Sequence, residues 1–377
     1  MTPFLDIISV HFFPLLLNIM KVIGGSGVFI MAMTPRERVL AALKQESLDR
    51  PPVAIFTQSA TVAQMDAVGA AWPDAHKNAD LMAKLSAAQA DYNGGECVRA
   101  AFCLTAETEA LGAKVAVDKK DAAPMIKEHP LHFDAMMGEF DNPSEKLISP
   151  EEMIKTGRPA VVIEAVKKLK ASHGENYAVV AGNTGVITLT GNMCNTENII
   201  FGILMCPDEV EKWLGVMTPY VRTYTEALWA AGADCVQCSE PTGSTDMLAP
   251  DMFDQYVGKY VGPALKPGAD KYSILHICGN TEPILDMMVN TGVTGISIEE
   301  KVDPEVACGK VGGKTCMVGN VGSVMPLFQG TPEAVKEAAL RSAKAGFNII
   351  SSGCGIAPGT PNDNYNALTA AIKGMSN

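Results

Sequence analysis

The sequence of 377 residues lacks the features that mark several large classes of protein. Its basic residues form no cluster and its formal net charge is −12, so we expect no nucleic-acid partner. No Gly-x-Gly-x-x-Gly fingerprint follows the first predicted strand, so nothing supports a doubly wound open sheet, which stays an alternative fold. No clean run of about 20 apolar residues occurs, and we therefore expect no stable membrane insertion.

The first 33 residues differ from the rest of the chain. The stretch from Phe4 to Met20 is largely apolar, but His11, Pro14 and Asn18 interrupt it, and it lacks the positively charged start of a secretory signal. We interpret residues 1–33 as an extension outside the fold, with weak membrane attachment as the alternative. Ten cysteines, several within apolar runs, indicate reduced thiols, no disulfides and a cytoplasmic protein.

Residues 34–377 alternate between helix and strand patterns. Thr34-Pro35-Arg36-Glu37 has a capping hydroxyl, an early proline and a glutamate three residues after the cap, which predicts a helix start. Unbroken apolar runs between the helices suit parallel strands buried on both faces. Eight such units predict a single (β/α)₈ TIM barrel, an α/β fold, with an insertion over the barrel at about 105–177. The runs span 53–58, 97–104, 178–183, 234–240, 273–280, 294–300, 315–320 and 347–354.

Three residues at predicted strand ends form a candidate metal site. His276 and Cys278 lie two apart and therefore share one face of a strand, while Cys354 ends a later strand between two glycines. One imidazole and two thiolates are ligands that zinc prefers, and three protein ligands leave a position open for catalysis. Glu299 is the candidate fourth ligand, which leaves when a substrate arrives. A salt bridge from Glu299 to Lys301 or Lys314 is its alternative role.

Other polar residues at strand ends are weaker candidates. Gln58, Asn183 and Asn320 end predicted strands at the barrel mouth, where they could bind substrate or cap a loop. Cys235 and Cys238 have Cys-x-x-Cys spacing, but three residues apart on a strand they face opposite sides. We interpret both as packing residues.

With these residues in view, the chain resembles the uroporphyrinogen decarboxylase superfamily, and within it the zinc methylcobamide:coenzyme M methyltransferases of methanogens. The family's decarboxylases carry an arginine-rich segment after the first strand, where this chain has residues 56–60 without arginine, so porphyrin decarboxylation is set aside. The similar segments are residues 34–43, 49–53, 275–280, 296–301, 318–320 and 352–361.

The resemblance implies a function and a ligand set. A methyl group would pass from a methylcobamide, carried on a methylated corrinoid protein, to the thiol of coenzyme M. Zinc would be held by His276, Cys278 and Cys354, with Glu299 as the exchangeable ligand. The alternatives are a related zinc or corrinoid methyltransferase with homocysteine or a pterin as acceptor, a uroporphyrinogen decarboxylase-like enzyme, and a barrel in which zinc is only structural.

Overall fold

The computed structural model describes residues 33–375, and the structural statements below concern those residues. The predicted extension at residues 1–33 lies outside them, apart from Met33. None of the described helices is long and apolar enough to cross a membrane.

A parallel sheet of seven strands forms the centre of the described part of the chain, in the order β1-β6-β7-β8-β9-β10-β11. Each strand pairs in parallel with the next, as expected for strands joined by helical crossovers. The seven strands are β1 (Cys97–Ala100), β6 (Ala178–Thr184), β7 (Cys235–Ser239), β8 (Tyr272–Ile277), β9 (Gly295–Ile298), β10 (Cys316–Val321) and β11 (Ile349–Ser352).

The predicted first strand, residues 53–58, is reduced to a single parallel bridge between Val53 and Ile350 of β11. On the other side the carbonyl of Val53 accepts the amide of Glu96, so the segment lies between β11 and β1 and closes the barrel. Side chains replace the missing ladder: Val53 donates its amide to the Glu96 carboxylate, and Phe56 donates its amide to the Ser351 hydroxyl. The barrel prediction is confirmed, but the prediction of a regular first strand is wrong.

Helices pack around the sheet at the positions that the cap signals predict. Thr34 caps the first helix with a complete capping box to Glu37. The helices are α1 (Pro35–Leu43), α2 (Val62–Val68), α3 (Ala79–Asp91), α4 (Ala106–Ala110), α5 (Pro143–Lys146), α6 (Pro150–Met153), α7 (Gly157–His173), α8 (Val186–Cys194), α9 (Thr196–Met205), α10 (Pro207–Ala230), α11 (Lys259–Leu265), α12 (Leu285–Asn290), α13 (Pro304–Val311), α14 (Pro332–Ala345) and α15 (Asn362–Lys373).

The segment 105–177 contains two small antiparallel hairpins as well as α4 to α7. They are built from β2 (Lys114–Ala116) with β3 (Met125–Glu128), and from β4 (Phe133–Asp134) with β5 (Glu139–Phe140). The second hairpin packs against the helices that follow β6, with the Phe133 ring 5.0 Å from the Trp213 ring. The segment ends with α7, which packs on β1 and β6 as part of the barrel wall.

Apolar side chains divide into an inner and an outer core. The inner core includes the first residues of β1, β6 and β7, together with Val39, Ala42 and Leu43 of α1. Helix α1 therefore closes the amino-terminal end of the barrel. The outer core lies between the sheet and its helices. Cys235 belongs to the inner core and Cys238 to the outer one, as predicted from their odd spacing.

Candidate metal centre

His276, Cys278 and Cys354 come together at the carboxyl-terminal end of the barrel. One ligand atom from each lies within 4.8 Å of the other two. His276 is the penultimate residue of β8, Cys278 directly follows that strand, and Cys354 follows β11 by two residues. Parallel strands place their carboxyl ends at one edge, so ligands 78 residues apart in sequence become neighbours in space.

The imidazole of His276 is held in one orientation. Its Nδ1 lies 3.0 Å from the hydroxyl of Ser297 on the adjacent strand β9, which leaves Nε2 as the nitrogen to bind a metal. Burial, with a smaller effect from the Arg99 charge, lowers the pKa of His276 to about 4. The imidazole is therefore neutral at pH 7, which is the form that ligates metals.

The two thiols form an asymmetric pair. A hydrogen bond from Cys354 lowers the pKa of Cys278, against the opposing effects of burial and of the Glu299 charge. The same hydrogen bond, together with burial, raises the pKa of Cys354. Cys278 is thus the first thiol to lose its proton, and a divalent cation would favour the thiolate form of both.

The backbone around Cys354 is fixed by hydroxyl groups from two other loops. Thr57 donates its hydroxyl to the Cys354 carbonyl at 2.8 Å, and Ser323 both donates to that carbonyl and accepts the Cys354 amide. The position before Cys354 requires glycine, because a Cβ on Gly353 would lie 2.8 Å from the Cα of Glu299. The loop can approach β9 this closely only with glycine at that position.

Glu299 lies close to the ligand cluster but is not among its members. Its carboxylate is 3.7 Å from the ammonium of Lys301, which also binds Asp246 at 2.8 Å. In this structure Glu299 therefore makes the salt bridge that the sequence offered as its alternative role. Its charge raises the pKa of both cysteine thiols, so the carboxylate lies in their neighbourhood.

The three predicted substrate-binding amides separate into two groups. Gln58 lies at the mouth, where its amide is 3.4 Å from the Ser239 hydroxyl and its side chain is beside Gly355. Asn183 instead donates to Thr225 of α10, and Asn320 contacts the Val302 carbonyl and Ser342 of α14. The structure corrects both asparagines, because their side chains face the surrounding helices and not the mouth.

Several residues that shape the centre were missed from the sequence. Ser297, Ser323 and Thr57 orient the ligands but carry no chemistry of their own, so their types give no signal. Arg99 and Gln237 lie inside the barrel, where Arg99 donates to Gln237 at 3.1 Å. Their signal was available: each is a polar residue within an otherwise apolar, buried strand.

A cavity of about 350 Å³ opens at the same edge of the barrel. It lies beside the loops that follow β1 and β7, and the second of these is tied to the centre by the Glu240 amide, which donates to the His276 carbonyl. Its walls offer several hydroxyls and one amide, from Thr105, Thr188, Thr196, Thr242 and Asn192.

A TIM barrel with one histidine and two cysteines clustered at its carboxyl-terminal end has the arrangement of a metal-dependent barrel enzyme. The comparison with known families agrees with this class. The model of the uroporphyrinogen decarboxylase (URO-D) family matches residues 34–375. The chain belongs to that family, as its resemblance indicated.

Relatives within the family identify the chain as a methyltransferase. The methylcobamide:CoM methyltransferase MtaA of Methanosarcina barkeri is 32% identical over 340 residues, which cover 90% of this chain and 97% of the relative. MtbA of Methanosarcina acetivorans, another methylcobamide:CoM methyltransferase, is 34% identical over 345 residues, covering 90% and 98%. A solved methyltransferase from Methanosarcina mazei superposes with a TM-score of 0.84 at 34% identity, over 90% of this chain and 98% of that one.

Proposed function

We propose that this methyltransferase moves a methyl group from a methylated corrinoid, carried on a partner protein, to the thiol of coenzyme M. The observation that carries the proposal is the cluster of His276, Cys278 and Cys354, with ligand atoms within 4.8 Å of one another at the barrel mouth. Its Methanosarcina relatives are methylcobamide:CoM methyltransferases, and their activity supplies the donor and the acceptor of the proposal.

The donor set fits zinc. One neutral imidazole and two thiols at a half-buried position match its preference for nitrogen and sulfur ligands, and three protein ligands leave a fourth position open. Bound zinc would act as a Lewis acid that favours the deprotonated form of a substrate thiol at neutral pH. Ser297 fixes the imidazole, while Thr57 and Ser323 fix the backbone of Cys354.

The transfer itself is a nucleophilic substitution at the methyl carbon. The substrate thiol loses its proton to solvent, and its sulfur forms the new bond to carbon. The carbon–cobalt bond breaks at the same time, and its electron pair stays on cobalt. The role of the protein is to hold the sulfur at the mouth of the barrel, where a corrinoid on another protein can approach it.

Glu299 is the proposed exchangeable ligand. Its carboxylate, paired with Lys301 at 3.7 Å, lies beside the cluster and can move between the metal position and the ammonium group. Lys301 is itself held by Asp246 and would receive the carboxylate when a thiol takes its place. Gln58, at the mouth beside Gly355, is the proposed hydrogen-bonding partner of the substrate.

The test is methylation of coenzyme M by the zinc-loaded protein with free methylcobalamin as donor. Loss of methylcobalamin is followed by absorbance, and the methyl thioether is identified by mass spectrometry. We expect methylated coenzyme M, and much slower reaction when homocysteine replaces it. Protein stripped by a chelator is the matched control and should be inactive. No demethylation with coenzyme M, or faster reaction with homocysteine, would contradict the proposal.

A further inference from the structure

Arg99 is a buried cation inside the barrel, 3% exposed, on strand β1. Its guanidinium donates to the carbonyls of Phe56 and Ala101 and to the side chain of Gln237. All three acceptors are neutral. Among residues 33–375, no aspartate or glutamate lies within ion-pair distance of Arg99.

An unpaired buried charge is costly, because transfer of an ion from water into the protein interior loses several kcal/mol of solvation. Burial accordingly lowers the pKa of Arg99, to about 10, which still leaves it charged at neutral pH. The surrounding sequence keeps room for it: a Cβ on Gly182 would lie 2.1 Å from a guanidinium nitrogen of Arg99. Residues 33–375 therefore accommodate a charge for which they supply no counter-ion.

A chain of two hydrogen bonds runs from this charge towards the metal centre. Arg99 donates to Gln237, and Gln237 donates to the Ser239 hydroxyl at 2.9 Å. Ser239 lies opposite His276 in the register of β7 and β8.

Charge counting at the centre shows where a counter-ion would come from. A divalent cation and the thiolates of Cys278 and Cys354 sum to zero, and His276 is neutral. In the proposed exchange the substrate thiolate takes the place of the Glu299 carboxylate and brings its negative charge into the low-dielectric barrel. Among the described residues, Arg99 is a buried cation towards this end of the barrel that has only neutral partners.

We propose that Arg99 is the positioning residue whose charge balances the thiolate that the substrate brings to the metal centre. This inference rests on the proposed function. Arg99 acts across the barrel interior without touching the ligands, so its loss should weaken thiol binding and leave the zinc ligands intact. Weaker thiol binding should raise KM, whereas kcat should not fall, because a less stabilised thiolate is a better nucleophile.

The experiment compares Arg99→Gln, which keeps hydrogen bonding without charge, with Arg99→Lys, which keeps the charge. Arg222→Gln is the control for loss of a distant exposed arginine, since Arg222 is 60% exposed. Zinc content is measured first. Thiol binding is then measured by calorimetry, without any corrinoid, for coenzyme M and for the uncharged thiol 2-mercaptoethanol.

We expect full zinc content in all three variants. Arg99→Gln should weaken binding of both thiols by about tenfold, as expected for a charge pair across several ångströms of protein. Arg99→Lys should recover most of the affinity, and Arg222→Gln should equal the parent. If Arg99→Gln does not fold, Gly182→Ala, which displaces the guanidinium without removing it, should show the same weakening.

Three outcomes would overturn the inference. Equal thiol affinity in the parent and in Arg99→Gln would show that the charge is irrelevant to the substrate. A loss confined to coenzyme M would instead place Arg99 at the sulfonate. No thiol binding by the zinc-loaded parent would remove both this inference and the proposed function, whereas the first two outcomes leave the proposed function standing.

Discussion

The two ends of the barrel treat buried arginines in opposite ways. At the amino-terminal end Arg38 is surrounded by carboxylates, with Asp49 at 2.6 Å and Glu96 in direct contact. Towards the carboxyl-terminal end Arg99 meets only neutral acceptors. At the closed end the protein itself supplies the carboxylates that pair with the buried arginine. At the open end the buried arginine has no carboxylate partner, and a bound ligand would supply the negative charge.

The same contrast appears in the surroundings of the two ends. Glu96 accepts hydrogen bonds from Arg38, Arg50 and the Val53 amide, so its carboxylate is fully satisfied. At the open end three potential metal-ligand atoms, from His276, Cys278 and Cys354, lie within 4.8 Å of one another. This division is typical of a TIM barrel enzyme. The amino-terminal face stabilises the fold, and the strand ends and loops of the carboxyl-terminal face carry the chemistry.

The largest effect should come from breaking the charge network at the closed end. Glu96→Gln removes the charge that the buried Arg38 and the partly buried Arg50 share, and we expect a loss of about 3–5 kcal/mol in the free energy of unfolding. Urea unfolding monitored by circular dichroism measures it. The control is Glu282→Gln, which removes an exposed pair with Lys310 and should cost less than about 1 kcal/mol. Similar losses in both variants would refute the contrast.

At the open end the comparable change is Cys354→Ala. Removing one of three ligands should reduce methyl transfer by at least about 100-fold, more than loss of an outer-shell partner. Zinc content should fall while the unfolding midpoint of the zinc-free protein changes little. Cys308→Ala, a half-buried cysteine of α13, is the matched control and should keep zinc and rate. Full zinc and full rate in Cys354→Ala would refute the ligand assignment.

Much of the fold and of the candidate metal site could be predicted from the sequence. Buried apolar runs alternating with capped helices gave the barrel, and residue types at strand ends gave His276, Cys278 and Cys354. Composition and spacing can be read directly from the sequence, so these predictions did not require the structure. The failure at residues 53–58 has a physical cause: this apolar run is paired through the side chains of Glu96 and Ser351, and a sequence pattern does not show which partner supplies a hydrogen bond.

The direction of side chains was the other feature that the sequence analysis did not predict correctly. Strand alternation would put Asn320 on the inner face with Val318, but Gly319 has a φ of 141°, which turns the chain and directs Asn320 to Ser342 of α14. Asn183 was placed by its position near a strand end, although its parity with Val179 assigns it to the outer core. Parity could have excluded Asn183, whereas the turn at Gly319 required the structure.

A smaller effect at the open end is expected from Ser297→Ala. The hydroxyl of Ser297 orients His276, and loss of such a partner typically lowers metal affinity by about 10–100-fold. Competition with a zinc chelator of known affinity measures it. Ser273→Ala on β8 is the matched control, because the Ser273 hydroxyl is buried without a hydrogen-bond partner among the described residues. Equal zinc affinity in the two variants would show that Ser297 does not orient the ligand.

The smallest effect concerns a second buried histidine, His76, which is not part of the metal centre. It shows what burial alone does to the pKa of a histidine. His76 packs against Trp72 and Phe102, and burial, with a smaller effect from Arg158, lowers its pKa to about 3. In the unfolded chain its pKa is about 6.5, so between these values the unfolded state binds one more proton. Stability should therefore fall as pH drops below about 6.5, by up to about 1.4 kcal/mol per pH unit.

His276 in the zinc-free protein has the same sign, because its pKa is lowered to about 4. The two contributions separate in His76→Gln, which removes only the first. Urea unfolding of the zinc-free protein at pH 7 and pH 5.5 should show a drop about 1 kcal/mol smaller in the variant than in the parent. An unchanged drop would mean that His76 is protonated in the folded protein, and that burial alone does not keep a histidine neutral here. The neutrality of His276 would then have to come from the Arg99 charge at the open end, which lowers the pKa of His276 against the opposing effect of the Ser297 hydrogen bond.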